Sequence, residues 1–147
     1  MICTIPNRAD WALFIVRIML GIIFIAHGGQ KVLGLFGGPG LAEFAKMAAT
    51  MYVPIPAFLA YLAAFAEFIG GILLFFGIAA ELGALMVIPV MIGAVFFVHW
   101  PHGFFGQNNG FEYPLSLIFF LLAIVVGGPG KFALWEHPCR IFGCRCK

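Results

Sequence analysis

Charge is what this 147-residue chain has least of. Lys, Arg, Asp and Glu make up 10% of it, where a soluble domain carries about 25%. So few charges cannot keep in water a chain in which 63% of residues are hydrophobic. Eight basic and six acidic residues leave a net charge of +2, too little to hold a nucleic-acid backbone, and nucleic acid is set aside as a partner. Cysteine is also scarce: Cys3, Cys139, Cys144 and Cys146, with no C-x-x-C among them. A G-x-S-x-G elbow and a Gly-rich phosphate loop are missing too, so no self-sufficient catalytic signature stands in the chain. Internal repeats and low-complexity tracts are absent.

What is there in quantity is long apolar sequence. Four segments stand out, at residues 11–33, 57–78, 82–100 and 113–128. A bilayer core takes about 20 residues of helix, and only helices or closed barrels satisfy their backbones in lipid. The segments are too long and too uniformly apolar for alternating barrel strands. The expectation is an all-α membrane protein: one domain over residues 1–147, a four-transmembrane-helix bundle. The first segment exceeds the apolar region of a cleaved signal peptide and carries Arg17, so it is expected to be retained. Between spans one and two, "GGPGLAEFAKMAATMYVPIP" places Leu41, Phe44, Ala45, Ala48 and Tyr52 at helical spacing. This predicts a short interfacial helix over residues 40–51, with an ordinary surface loop as the alternative.

Four spans put both termini on one side. That side gathers Arg8, Lys131, Arg140, Arg145 and Lys147 against Lys31 and Lys46 on the other, so the positive-inside rule makes the termini cytoplasmic. The cysteines then face a reducing compartment. The tail, residues 131–147, has His137 beside its cysteines, but C-x4-C-x-C is a poor zinc spacing, and unligated thiols are the plainer reading.

Two charges lie inside the apolar segments. With the first helix starting near Trp11, level with Gly77, Arg17 lies about 9 Å in and Glu67 about 15 Å in, an offset of about 6 Å. Each charge shares a helix face with small residues: Gly21 and Gly28 near Arg17; Ala60, Ala63, Ala64, Gly70 and Gly71 near Glu67. A buried Arg17–Glu67 pair is expected, acting either as a packing device or in proton or ligand handling.

A second polar group collects at the opposite end from the termini. "GIIFIAHGGQKVLG" brings His27, Gln30 and Lys31 to the end of the first helix. His99 closes the third, Asn109 lies in the following loop, Glu112 and Tyr113 open the fourth, and Glu67 approaches from below. Topology carries all eight toward one outward-facing pocket, a candidate ligand site. Each also has a plainer role: Lys31 as a snorkelling cation, His27 and His99 as interface residues, Asn108-Asn109-Gly110 as a turn. Metal or haem ligation by His27, His99 and His102 is a weak pattern, and no metal is assigned.

The stretches "RIMLGIIFIAHGGQKVLG", "AEFIGGILLFFG", "FFVHWPHGFF" and "GFEYPLSLIFFLLAIVVGGPGKFALW", in this order over residues 12–135, resemble the DoxX family of small membrane proteins. The family's Arg, His-Gly and Lys fall on Arg17, His27-Gly28 and Lys31. Its second-helix acid falls on Glu67, its later His on His99, and its Glu-Tyr on Glu112 and Tyr113. His102 stands where the pattern has Asn, and the Cys-containing tail lies outside it. The resemblance implies a four-helix protein of the plasma (inner) membrane. The family name comes from a subunit of an archaeal thiosulfate:quinone oxidoreductase. Other members are linked to redox stress, quinone-like compounds and oxidoreductase complexes, and distant relatives assist maturation or trafficking of other proteins. Two functions follow as expectations. One is a redox-associated subunit binding a quinone-like or small anionic ligand, with quinone as the candidate cofactor and Glu67 as proton carrier. The other is a non-catalytic adaptor or assembly factor. Partners implied are the lipid bilayer, an oxidoreductase subunit and a second copy of the chain.

Overall fold

The computed structural model describes residues 8–134; Cys3, His137, Cys139, Cys144 and Cys146 lie outside them. Five α-helices account for most of the described chain: α1 (Arg8–Leu33), α2 (Gly40–Ala49), α3 (Ala57–Phe76), α4 (Ala80–Gly93) and α5 (Glu112–Gly127). α4 runs on without a break into a wide π turn, Ala94–His99, and a 3-10 turn, Trp100–His102. Three helical stretches are long and apolar enough to cross a membrane: Arg8–Leu33, Ala57–Phe76 and Ala80–His102. α5 is apolar but shorter, at 16 residues.

α1, α3, α4 and α5 pack around one core made by Leu20 and Phe24, Leu74, Ala84 and Val87, and Leu117, Leu121 and Ile124. Their outer faces carry exposed Ile15, Met19 and Ile22 on α1, Phe58, Leu62 and Phe65 on α3, and Phe119, Phe120 and Val126 on α5. Large apolar residues on the outside and small ones between helices are the arrangement a lipid solvent favours.

Glycines set the α1–α3 register. A Cβ on Gly28 would lie 2.5 Å from the Phe68 Cα, and one on Gly21 would lie 2.7 Å from the Phe75 Cα. The two backbones therefore touch at these levels, running antiparallel. α3 ends on Gly77, whose φ of 66° is a left-handed C-cap, and the chain turns at once into α4. Near that turn α3 and α4 are again in backbone contact, with Gly70 against the Gly83 carbonyl. α2 seats Ala45 and Ala48 on Ala60 of α3. After α5 the chain passes under the start of α1, where the Lys131 N–H donates to the Asp10 carbonyl at 3.1 Å.

Several boundaries differ from the sequence expectation. α1 starts at Arg8 rather than near residue 11, and α3 stops at Phe76 because Gly77 caps it. The third span begins two residues earlier, at Ala80 rather than residue 82.

Candidate functional site

Arg17 is fully buried, and it does not pair with Glu67. The α1–α3 register explains this correction. Gly21 opposite Phe75 puts Arg17 level with the turn just past Gly77, twelve residues below Glu67. At 1.5 Å per residue that is about 18 Å, beyond any arginine side chain. Arg17 instead donates from Nη1 to the Leu74 carbonyl (3.2 Å) and from Nη2 to the Lys131 and Phe132 carbonyls (3.1 and 3.4 Å). Leu74 belongs to the last turn of α3, whose carbonyls form the negative end of the helix dipole, and its carbonyl also accepts from the capping Gly77 N–H at 3.2 Å. Arg17 thereby ties α1, the end of α3 and the segment after α5 together. Its Cζ also lies 5.5 Å from the Phe14 ring centroid.

Glu67 is paired by Lys31. The Lys31 Nζ donates to both carboxylate oxygens at 2.6 Å. Glu67 is 1% exposed, while the Lys31 side chain keeps 24% exposure. Nζ sits 5.1 Å from the Phe44 ring centroid of α2, a cation–π contact that brings the third element to the pair. Two of the ammonium's three donors are used by Glu67, which leaves one for another partner.

Around this pair is a small cavity of about 140 Å³ lined by His27, Lys31, Glu67, His99 and Tyr113, with Phe24, Met91, Ala94, Pro114 and Leu117 as its apolar wall. Five of the eight expected site residues are thus brought together, from α1, α3, the π turn and α5. His99 reaches it from the last residue of the π turn. Its Nδ1 lies 2.6 Å from the Asn109 carbonyl. A carbonyl only accepts, so Nδ1 is the donor in this contact and Nε2 is left for another partner. Asn109, in left-handed conformation (φ 61°), therefore contributes through its backbone, orienting His99.

Gln30 and Glu112 do not line the cavity. Gln30 is backed by Gly38, where a Cβ would lie 2.5 Å from its Cα, and Glu112 directs its carboxylate toward Gly106 of the loop. Both stand on the right helices, but their positions on those helices turn them away.

Sequence reasoning did not anticipate a second, larger cavity of about 610 Å³ between α3 and α4, with α2 at its side. Its walls are apolar: Phe44, Met51, Leu59, Ala63, Pro89, Gly93 and Phe97 among them. It shares Lys31, Glu67, Ala94 and His99 with the small one. The signal that could have found it is Pro89, five residues before the π turn, with Gly93 and Ala94 next to it and small residues Ala60, Ala63 and Ala66 on the antiparallel neighbour.

Helices apolar enough to cross a bilayer, with ionisable side chains gathered around the buried Glu67 carboxylate at one end of the bundle, define a multi-pass membrane protein. The chain belongs to the DoxX family, whose profile matches residues 12–100, from α1 through the π turn to Trp100. Over 110 residues, 75% of each chain, it is 34% identical to the Bacillus subtilis (strain 168) protein named "Putative oxidoreductase CatD". No solved structure matches it significantly. Arg17, His27, Lys31, Glu67 and His99 fall inside the matched stretch; Tyr113 lies beyond it.

Proposed function

We propose that this protein is a four-span subunit of the plasma membrane that works beside an oxidoreductase and binds a quinone-like or small anionic ligand in an outward-facing polar cavity. The observation that carries the reading is the convergence of His27, Lys31, Glu67, His99 and Tyr113, from four helical segments, on one small, partly open cavity. Ionisable groups inside a membrane are expensive and mark ligand or proton handling. The free donor of Lys31 balances an anion or a reduced quinone oxygen. The His99 Nε2 accepts from a hydroxyl, and the Glu67 carboxylate is the group that takes up a proton when a ligand draws Lys31 away. The name of the Bacillus relative points to the same class of work.

The orientation rests on charge. Arg8 and Lys131 stand at the end opposite the cavity, with Arg140, Arg145 and Lys147 following in sequence, against Lys31 and Lys46 at the cavity end. By the positive-inside rule the termini are cytoplasmic, and α2 lies at the outer interface.

The test is binding of a water-soluble benzoquinone, and of benzoate as the anionic probe, to the full chain in lipid nanodiscs. His27→Ala, Lys31→Ala and His99→Ala should each weaken the same probe, with non-additive effects because they share one ligand. If the protein binds neither probe, the cluster is structural and the adaptor reading replaces this one.

A further inference from the structure

The large apolar cavity is the part of the molecule that the polar site does not explain. α3 and α4 form a hairpin in backbone contact near its turn, at Gly70 and Gly83, and they separate toward the other end, where the cavity lies between them. Leu59 and Leu62 on α3, Leu85 on α4 and Phe97 in the π turn line it and are also exposed at the protein surface. In a membrane those residues face acyl chains, so the cleft opens sideways into the bilayer. On its wall stand Lys31, Glu67 and His99, the polar residues it shares with the small cavity.

Size separates the occupants. The small cavity, about 140 Å³, holds four or five waters at ~30 Å³ each, or one compact head. The large one, about 610 Å³, is within the ~300–1,000 Å³ range of sites for whole organic ligands. A partner helix is too big for it. A cylinder ~10 Å wide along the ~18 Å from Leu85 to Phe97 fills ~1,400 Å³, more than twice the space present. One flexible hydrocarbon chain fits.

We infer that the α3–α4 cleft receives the single apolar tail of an amphiphile that enters from the bilayer, with its hydrogen-bonding head at Lys31 and His99. This rests on the proposed head site and adds the class of ligand: a membrane-borne tailed molecule rather than a water-borne one. It also gives a role to the small residues on the cleft side of α4. Pro89 and Gly93 keep side-chain bulk out of the cleft, and a Cβ on Gly93 would meet only the Phe97 ring, at 3.8 Å.

The experiment uses the full chain in nanodiscs and two quinones with one headgroup, a dimethoxy-methyl-benzoquinone without a tail and the same ring with a decyl chain. Empty nanodiscs supply the partition background. Ala63→Phe fills the cleft from the α3 side and Gly93→Leu from the α4 side. Each should weaken the decyl quinone about tenfold or more, the scale of overpacking an apolar site, and leave the tail-less quinone within about twofold. His99→Ala should weaken both. Unchanged decyl-quinone binding in a folded cleft variant overturns the tail site while the head site stands; equal weakening of both quinones by both cleft variants overturns it as well. If neither quinone binds the unmodified protein, the head site and the tail site fall together.

Discussion

Lys31 and Glu67 meet with the ammonium nitrogen 2.6 Å from both carboxylate oxygens, one partner near the end of α1 and the other buried midway along α3. The pair forms the common wall between a polar cavity and an apolar one. Removing one member leaves the other charge without its partner, which for a buried pair costs about 3–5 kcal/mol. Lys31→Met should therefore destabilise the bundle strongly, and Lys31→Met combined with Glu67→Gln should recover much of the loss. Thermal unfolding in detergent measures both. A double variant no better than the single one would show that Glu67 has another partner.

Arg17 should behave independently of Glu67. Arg17→Ala abandons three carbonyls at the end of α3 and after α5, and hydrogen bonds from a charged donor contribute about 1.5–3 kcal/mol each. Folded yield, followed by size-exclusion of a fluorescent fusion, should fall. Exchanging Arg17 and Glu67 should not restore it, whereas exchanging Lys31 and Glu67 should restore part of what the single changes lose. Rescue by the Arg17–Glu67 exchange would contradict the register described above.

Two glycines should respond in opposite ways. Gly28→Leu drives a side chain into the backbone of Phe68, so α1 and α3 must separate and folded yield should drop sharply. Gly93→Ala meets only the Phe97 ring at van der Waals distance and should be neutral or stabilising by up to about 1 kcal/mol, since alanine loses less entropy in a helix. The comparison is a melting curve for each variant.

Topology is open to direct labelling. A membrane-impermeant thiol reagent applied to intact cells should leave Cys144 unmodified and should modify a cysteine placed at Asn108 in the loop before α5. The reverse pattern would turn the cavity toward the cytoplasm.

Much of the architecture is a local property of the chain. Whether a stretch such as residues 57–78 becomes a membrane helix depends on its summed hydropathy, and Gly77 ends it because a left-handed cap suits a residue with no Cβ. The grouping of His27, Lys31, His99 and Tyr113 at one end follows from the alternating directions of α1, α3, α4 and α5, so it too is readable in the sequence. Which charge meets which is a different matter. Arg17 and Glu67 share small-residue faces, but the axial position of α1 against α3 depends on where Gly21 and Gly28 find room against Phe75 and Phe68. A sliding error of a few residues moves a side chain by more than its own length, and so Glu67 went to Lys31. The orientation of His99, held by the Asn109 carbonyl, and the cleft beside Pro89 likewise exist only once α3, α4 and α5 are packed. Hydropathy acts segment by segment, whereas register, ion pairing and cavity shape are set by contacts between segments, and those only tertiary structure decides.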